Sequence, residues 1–461
     1  MSGGFASLSL DAGFLETLDQ LGFVTPTPVQ SQALPVALEG RDLVVRASTG
    51  SGKTAVFALS LLGRLNRKFF GVQALVLCPT RELADQVSVE IRRLGRSIDH
   101  LKVVTLCGGV PLRGQSASLA HGAHVIVGTP GRIRDHLTRG TLTLDGLRTL
   151  VLDEADRMLD MGFVDDMIAV AKLCPRDRQT LLFSATYPPG IEKIAGPFLK
   201  DPLTVEVSAA GSVPKIVQKF YEVTADNRLE VLASALVHFR PETTLVFVNT
   251  KAQGRDVVSF LQGKGLSVLE LSGDLEQRDR DEVMALFTGR CLSVIVATDV
   301  ASRGLDIPVL DAVINYDISP DPEIHVHRIG RTGRAGEGGL ALSLASDREK
   351  TLVRRIQEFT GLETVPWEPI SALSPSTEGF PVPPRAMVKL FDGKKDKIRP
   401  GDVLGALTAA AGLNRDQVGV IKVTEWGTWV AVDRNIADKV VGVLATVPIK
   451  GKLRKAFRVG H

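Results

Sequence analysis

Residues 47–54 read Ala47-Ser48-Thr49-Gly50-Ser51-Gly52-Lys53-Thr54, after the apolar run 42–47 and before an apolar stretch that begins near Ala55. A strand, a glycine-bearing turn, Lys-Thr and a helix in that order make a phosphate loop. The glycines let backbone N–H groups turn inward around phosphates, and the helix presents its positive end to them. Lys53 then reaches the terminal phosphates and Thr54 can bind Mg²⁺. Ala47 stands at the first position, where the general pattern has Gly. About one hundred residues on, the apolar run 147–152 ends in Asp153-Glu154-Ala155-Asp156. A carboxylate at the C-terminal tip of a buried strand can meet a metal-bound triphosphate. Asp153 is the candidate Mg²⁺ partner, and Glu154 is placed to orient or activate an attacking water. A third set is His327-Arg328-Ile329-Gly330-Arg331-Thr332-Gly333-Arg334, with three arginines at three-residue spacing. Arg331 and Arg334 are candidates to offset charge on a γ-phosphoryl group from an opposing lobe. In other phosphoryl-transfer enzymes that role is worth about 10³ to 10⁵ in rate.

These groups need a scaffold, and the hydropathy pattern supplies one. Short Val/Leu/Ile runs at 42–47, 73–79, 102–107, 123–128, 147–153 and 179–184 alternate with helical patterns. Continuous apolar strands separated by helices predict a parallel sheet covered on both faces. The rhythm restarts after the Gly/Ser/Pro stretch 209–214, with strands predicted at 243–249, 267–271, 292–297 and 312–316. The second lobe has no Gly-Lys-Ser/Thr after its first strand, where the chain reads Phe247-Val248-Asn249-Thr250-Lys251. One nucleotide for two lobes follows, and clefts between lobes are favoured ligand sites. Five prolines between 369 and 384 predict a stiff, exposed spacer. Beyond it, residues 385–461 read as β-α-β-β-α-β, a split ferredoxin-like module.

Composition bounds the function. With 461 residues, 44% apolar and 23% charged, the chain is ordinary globular material for about three folding units. Cys78, Cys107, Cys174 and Cys291 lie far apart and form no close pair of the zinc-knuckle or thioredoxin type, so they read as reduced core residues. No apolar stretch approaches the ~20 residues of a membrane span, and the start has no basic segment leading into an apolar run. A cytoplasmic protein is the expectation. The net charge of +3 hides an asymmetry: residues 385–461 hold 15 Lys+Arg against 7 Asp+Glu, while residues 1–384 hold 40 against 45. A basic terminal module on a mildly acidic body suggests a polyanion partner, and a solvated basic face is the alternative.

The ordered motifs resemble those of the DEAD-box RNA helicases over residues 5 to about 365. Phe5 and Gly22-Phe23-Val24-Thr25-Pro26-Thr27-Pro28-Val29-Gln30 are similar to that family's glutamine motif. Pro79-Thr80-Arg81-Glu82-Leu83-Ala84, Gly108-Gly109, Thr129-Pro130-Gly131-Arg132, Asp153 to Asp156 and Ser184-Ala185-Thr186 follow. The second lobe continues with Gln277 to Arg280, Ala297-Thr298-Asp299 to Asp306, and His327 to Arg334. The resemblance implies two RecA-like lobes and an RNA-stimulated, Mg²⁺-dependent ATPase. Phe5, Phe23, Thr25 and Gln30 would hold adenine, Ser48 to Thr54 the phosphates, and Gly304 and Asp306 would lie near the ribose. Asp156, Ser184, Thr186 and His327 would couple ATP state to lobe closure. Pro79, Thr80, Arg81, Gly108, Gly109, Thr129, Pro130, Arg132, Gln277, Arg280, Thr298 and Asp299 would hold one RNA strand by its backbone, which carries no sequence information.

Sequence preference must then come from residues 385–461, which resemble an RNA-recognition (RRM-type) module. Of the usual stacking positions on its third strand only Trp429 is in register, so the cations Lys394, Lys395, Lys397, Lys450, Lys452, Arg454 and Lys455 are expected to carry RNA contacts from loops and edges. Together with Arg399-Pro400-Gly401-Asp402-Val403-Leu404-Gly405-Ala406-Leu407-Thr408 and the segment 273–281, the layout resembles the bacterial DbpA subfamily. That likeness implies a tail aimed at a hairpin of the 23S ribosomal RNA, and action in assembly of the large (50S) subunit. A general RNA chaperone or an ATP-gated RNA clamp with a non-specific basic tail is the competing expectation. The expected division is 1–208 and 209–368 for the lobes, 369–384 for the linker and 385–461 for the module, with a monomer favoured.

Overall fold

The structure is a computed structural model that describes residues 4–47, 50–186, 196, 198–207, 216–302, 309–333, 338–362, 364–373, 379–410, 412–424 and 427–460. It divides into two compact units, residues 1–213 and residues 214–303 with 307–461.

In the first unit seven strands form one parallel sheet: β1 (Leu43–Arg46), β2 (Ala74–Leu77), β3 (Val103–Leu106), β4 (Val125–Gly128), β5 (Thr149–Leu152), β6 (Gln179–Ser184) and β7 (Leu203–Glu206). Their order is β3-β4-β2-β5-β6-β1-β7. Successive side chains of a strand point to opposite faces. Leu43 and Val45 of β1, with Ala74 and Val76 of β2, therefore enter one core, while Val44, Leu75 and Leu77 enter a second on the other face. Burial on both faces is why these strands read as unbroken apolar runs. The flanking helices obey the complementary period: in Arg81–Leu94 the buried positions Ala84, Val87 with Ser88, Ile91 and Leu94 recur about once per turn along one face.

The second unit repeats the plan with β8 (Ile216–Glu222), β9 (Thr244–Phe247), β10 (Val268–Leu271), β11 (Val294–Ala297), β12 (Ala312–Asn315), β13 (Gly339–Ala345) and β14 (Trp367–Glu368). The order is β10-β11-β9-β12-β13-β8-β14, and the pairings are parallel. Four strands escaped the sequence reading. β7, β8 and β14 keep one face half-exposed and interleave polar residues, and β13 is Gly-Leu-Ala-Leu-Ser-Leu-Ala, short of the β-branched residues that mark strands.

The segment 369–384 departs from the expected exposed spacer. Three of its apolar residues are packed, Leu373 buried and Ile370 and Phe380 against the second-lobe core, while Val382 stays exposed. The module that follows has β15 (Arg385–Leu390), β16 (Val418–Val423), β17 (Thr428–Asp433) and β18 (Ala456–Arg458) in the antiparallel order β16-β17-β15-β18. Helices Pro400–Gly405, continued by wide turns over Ala406–Ala410, and Ala437–Thr446 cover one face. Val388, Leu390, Val430, Val432, Val403 and Leu444 fill the core between them. The β-α-β-β-α-β order is the expected one. β18 is shorter than predicted, and Arg454 just before it is buried in an ion pair with Asp392. All four cysteines are free and buried. Among the described residues no helix is long and apolar enough to cross a membrane.

Candidate nucleotide and RNA sites

The strand order of the first lobe sorts the motifs into two groups at the C-terminal ends of the strands. The loops after β1, β5 and β6 carry the phosphate loop, Asp153 to Asp156 and Ser184 to Thr186, and these strands are neighbours in the order β5-β6-β1. The loops after β2, β3 and β4 carry Pro79 to Arg81, Gly108-Gly109 and Thr129 to Arg132, and these are neighbours in the order β3-β4-β2. One half of the sheet edge thus presents phosphate and carboxylate chemistry, and the other presents backbone and arginine.

In the phosphate loop Gly50 and Gly52 have positive φ, 83° and 94°. Gly52 stands at the N-terminus of the helix Lys53–Gly63, and a Cβ there would lie 2.5 Å from the Gln30 amide nitrogen. Lys53 is buried and its Nζ donates to the carbonyl of Ala47 (2.6 Å), while Thr54 is half-buried beside it. Ser51 also belongs to a brace that the sequence reading left out. Thr27 donates from Oγ1 to the Ser51 carbonyl (2.7 Å) and Gln30 donates to the Gly52 carbonyl (3.3 Å). Thr27 and Gln30 are also reciprocal partners in a capping box, with Pro28 opening the helix Pro28–Leu38. The Thr-Pro-x-Gln spacing was the available signal for Thr27. Gln30 is buried; Phe5 is buried edge-on to the half-buried Phe23, at 6.2 Å between ring centres, and Thr25 is exposed.

Asp153 is buried and accepts the Glu154 backbone N–H (3.1 Å). Burial and the adjacent Glu154 carboxylate push its carboxyl up to about 7, against the lowering pull of Lys53. An acidic group with spare lone pairs, close enough to Lys53 to feel its charge, fits a divalent cation, which favours the ionised form. Glu154 has left-handed backbone (φ 52°). Its Oε2 lies 3.2 Å from Arg157 Nη1 as an ion pair but without hydrogen-bond geometry. Asp156 ties this loop to the next: its Oδ2 accepts from the N–H groups of Ala185 (3.1 Å) and Thr186 (2.9 Å) and from Thr186 Oγ1 (2.9 Å). Ser184 Oγ donates back to the Thr186 carbonyl (2.5 Å), and its own carbonyl accepts the Ala47 N–H (3.1 Å). A chain of hydrogen bonds therefore joins Asp156, the 184–186 segment and the start of the phosphate loop.

On the other half, Gly108 and Gly109 are exposed. Gly109 has φ 74°, a backbone conformation strained for any other residue, and a Cβ on it would meet the Arg81 guanidinium at 2.3 Å. Thr80 caps the helix of Arg81, Pro79 is buried, and Pro130 opens the helix after Thr129. Arg132 donates to the Val110 carbonyl (2.8 Å) and to Gln115 (2.9 Å).

In the second lobe Arg280 donates to the Ala301 carbonyl (2.7 Å), joining the helix Gln277–Thr288 to the Thr298 turn. Gln277 donates to Asp281 (3.2 Å). Arg328 proves to be a buried hub: it holds Asp299 with two bonds of 2.7 Å and also reaches the carbonyl of Asp317 and Asn249. The Asp299 carboxylate is thus held by Arg328, which fixes the turn that follows β11. Arg331 is buried, and His327 is half-buried on the preceding helix Pro322–Ile329. Ser48, Thr49, Gly304, Asp306 and Arg334 lie outside the described residues.

In the module, Lys394, Lys395, Lys397, Lys452 and Lys455 are exposed. Two other cations are engaged at home. Lys450 donates to the Lys397 carbonyl (2.6 Å) and pairs with Asp402 (3.1 Å). Arg454 is buried and paired with Asp392.

Three family descriptions match in chain order: DEAD/DEAH box helicase over residues 27–194, Helicase conserved C-terminal domain over 227–336, and DbpA RNA binding domain over 392–456. The chain is 47% identical over 440 residues to the ATP-dependent RNA helicase DbpA of Escherichia coli, covering 95% of each. The chain is a DEAD-box ATP-dependent RNA helicase of the DbpA subfamily. The DbpA of Bacillus subtilis is 36% identical over 98% of each chain. Among solved structures, Saccharomyces cerevisiae Dbp5 bound to RNA and ADP BeF3 has a TM-score of 0.73 and 31% identity, over 80% of this helicase and 96% of that chain. The DbpA-type domain is what this helicase adds to the two-lobe core, and its RNA-binding character agrees with the basic charge of residues 385–461.

Proposed function

We propose that this helicase couples RNA-stimulated, Mg²⁺-dependent ATP hydrolysis to local opening of short duplexes in ribosomal RNA during assembly of the 50S subunit, in the cytoplasm. The observation that carries the catalytic part is the Asp156 bridge, because it joins the carboxylate loop to the 184–186 segment with three hydrogen bonds. The DbpA-type domain match and the cationic module support the ribosomal target.

The residues divide the labour as follows. Phe5, Phe23, Thr25 and Gln30 take the adenine end, and Gln30 and Thr27 brace the loop that wraps the phosphates. Ser48, Thr49, Gly50, Ser51 and Gly52 turn backbone N–H groups inward, and Lys53 exchanges the Ala47 carbonyl for phosphate oxygen. Thr54 and Asp153 would hold Mg²⁺, which would supply positive charge to offset that of the phosphates. Glu154 aligns the attacking water, and Arg331 and Arg334 offset charge on the transferred group. Gly304 and Asp306 lie toward the ribose, and His327 couples ATP state to lobe closure. Arg81, Gly109, Thr129, Arg132, Arg280 and Thr298 grip one strand by its backbone, so the core reads no sequence. At roughly 1.4 kcal/mol per stacking step, melting a few pairs costs several kcal/mol, which suits short duplexes.

The test is steady-state ATPase activity with no RNA, with a 23S-derived hairpin carrying a short duplex, and with a random RNA of equal length, at two salt concentrations. Selective stimulation by the hairpin, lost when residues 385–461 are removed, is expected. Equal stimulation by both RNAs would leave the helicase standing and reduce the tail to an electrostatic anchor.

A further inference from the structure

The face of the C-terminal sheet that lacks helices is divided between two occupants. Lys389 on β15 stands opposite Trp429 on β17 and Phe457 on β18, with its ammonium 5.0 Å from the Trp429 ring centre and 6.0 Å from that of Phe457. Most of this face is closed. Trp429 is 1% exposed, Lys389 pairs with Glu282 of the helix Gln277–Thr288, and Lys422 on β16 lies 3.9 Å from Asp281 of the same helix. At the end of that helix a Cβ on Gly289 would meet Ala431 at 2.9 Å and Met387 at 3.0 Å. The positions where RNA-recognition sheets commonly stack bases are therefore filled by the protein's own second lobe.

The β15–β18 edge is not closed. Phe391 lies two residues beyond Lys389, hence on the same face. It packs against Phe457 with ring centres 5.0 Å apart and planes at 31°, and it remains 57% exposed. Leu453, 66% exposed, and Lys455 border the same cleft. Exposed Lys394 and Lys395 follow Phe391 in the chain, and exposed Lys452 precedes Leu453. An aromatic pair with an open ring, flanked on both chain segments by cations, matches the chemistry of an unpaired RNA base and its neighbouring phosphates. Every base has a π-face to stack, and the lysines neutralise the backbone on either side.

We propose that Phe391 and Phe457 form a stacking platform for an unpaired nucleotide next to the duplex, displaced to the sheet edge because the central positions are covered by the second lobe. The proposal rests on the reading of the tail as the RNA-targeting part. The experiment uses the full chain and two probes: an RNA hairpin with a ten-adenosine single-stranded overhang, and the same hairpin with a blunt end. Phe391→Ala is expected to weaken binding of the overhang probe about tenfold, to leave the blunt probe unchanged, and to be rescued by Phe391→Trp. Wild-type binding of both probes by Phe391→Ala overturns the platform. In that event a combined Lys394, Lys395, Lys452 and Lys455 to Ala variant separates the two readings. If it loses affinity, the tail remains the RNA-targeting part and only the platform falls; if it does not, both fall. A change of molecular mass by light scattering in Phe391→Ala, with RNA binding intact, would assign the face to a second copy of this chain and also overturn the proposal.

Discussion

Glu154 and His325 show how differently two buried ionisable residues can be used. Glu154 sits in left-handed backbone and pairs with Arg157, so Glu154→Gln keeps the shape and removes the acceptor for a water proton. ATPase activity should fall by about 10²- to 10⁴-fold with the thermal midpoint within a degree or two; near wild-type turnover would remove Glu154 from its proposed role. Lys53→Ala should abolish turnover with the fold intact, read by ATPase assay and circular dichroism. His325 was invisible beside the arginine-rich run that follows it. It is fully buried over Phe220, neither ring nitrogen has a hydrogen-bond partner among the described residues, and burial together with Arg328 lowers its pKa to about 4. The unfolded imidazole titrates near 6.5, so below that pH the unfolded state binds more protons. The contribution to stability is full above about pH 6.5 and is lost as pH falls toward 4. At pH 5 the loss is about 2 kcal/mol. Thermal melts between pH 7 and 5 should show a steeper decline for the wild type than for His325→Phe.

The helix Gln277–Thr288 is the element with the most uses. Its first turn carries Gln277 and Arg280, its middle carries Asp281 and Glu282 against the module, and Gly289 beyond its end lets β15 and β17 approach. A side chain at Gly289 would force the module away. Gly289→Leu should therefore weaken docking by about 1–3 kcal/mol and raise amide exchange at Met387 and Ala431, while exchange in β2 and β5 of the first lobe stays unchanged. Unaltered exchange at Met387 and Ala431 would count against this packing role. Strands, too, differed in legibility. β2 and β5 announced themselves because burial on both faces leaves mostly apolar residues, whereas β8 and β14 serve a half-exposed edge and look like loop sequence.

At the scale of the whole molecule, the proposed function assigns specificity and chemistry to different parts of the chain. If the core loops grip RNA by backbone and arginine as proposed, selective stimulation by a hairpin is expected to pass through residues 385–461. A chain ending at residue 384 should keep RNA-stimulated ATPase activity and lose the difference between hairpin and random RNA; an undiminished difference would place the selectivity in the core. The sequence by itself determined the two α/β lobes, the phosphate loop, the carboxylate motif and the basic RNA-recognition-type module. Each is encoded in a short strand–loop–helix segment whose residue types must suit local backbone geometry. Tertiary structure alone decided which loops share a sheet edge, that Arg328 takes up Asp299 and Asp392 takes up Arg454, and that Trp429 lies under the second lobe while Phe391 stays open. Those outcomes depend on contacts between residues far apart in the chain, where burial and ion pairing select one arrangement from many that the local pattern allows.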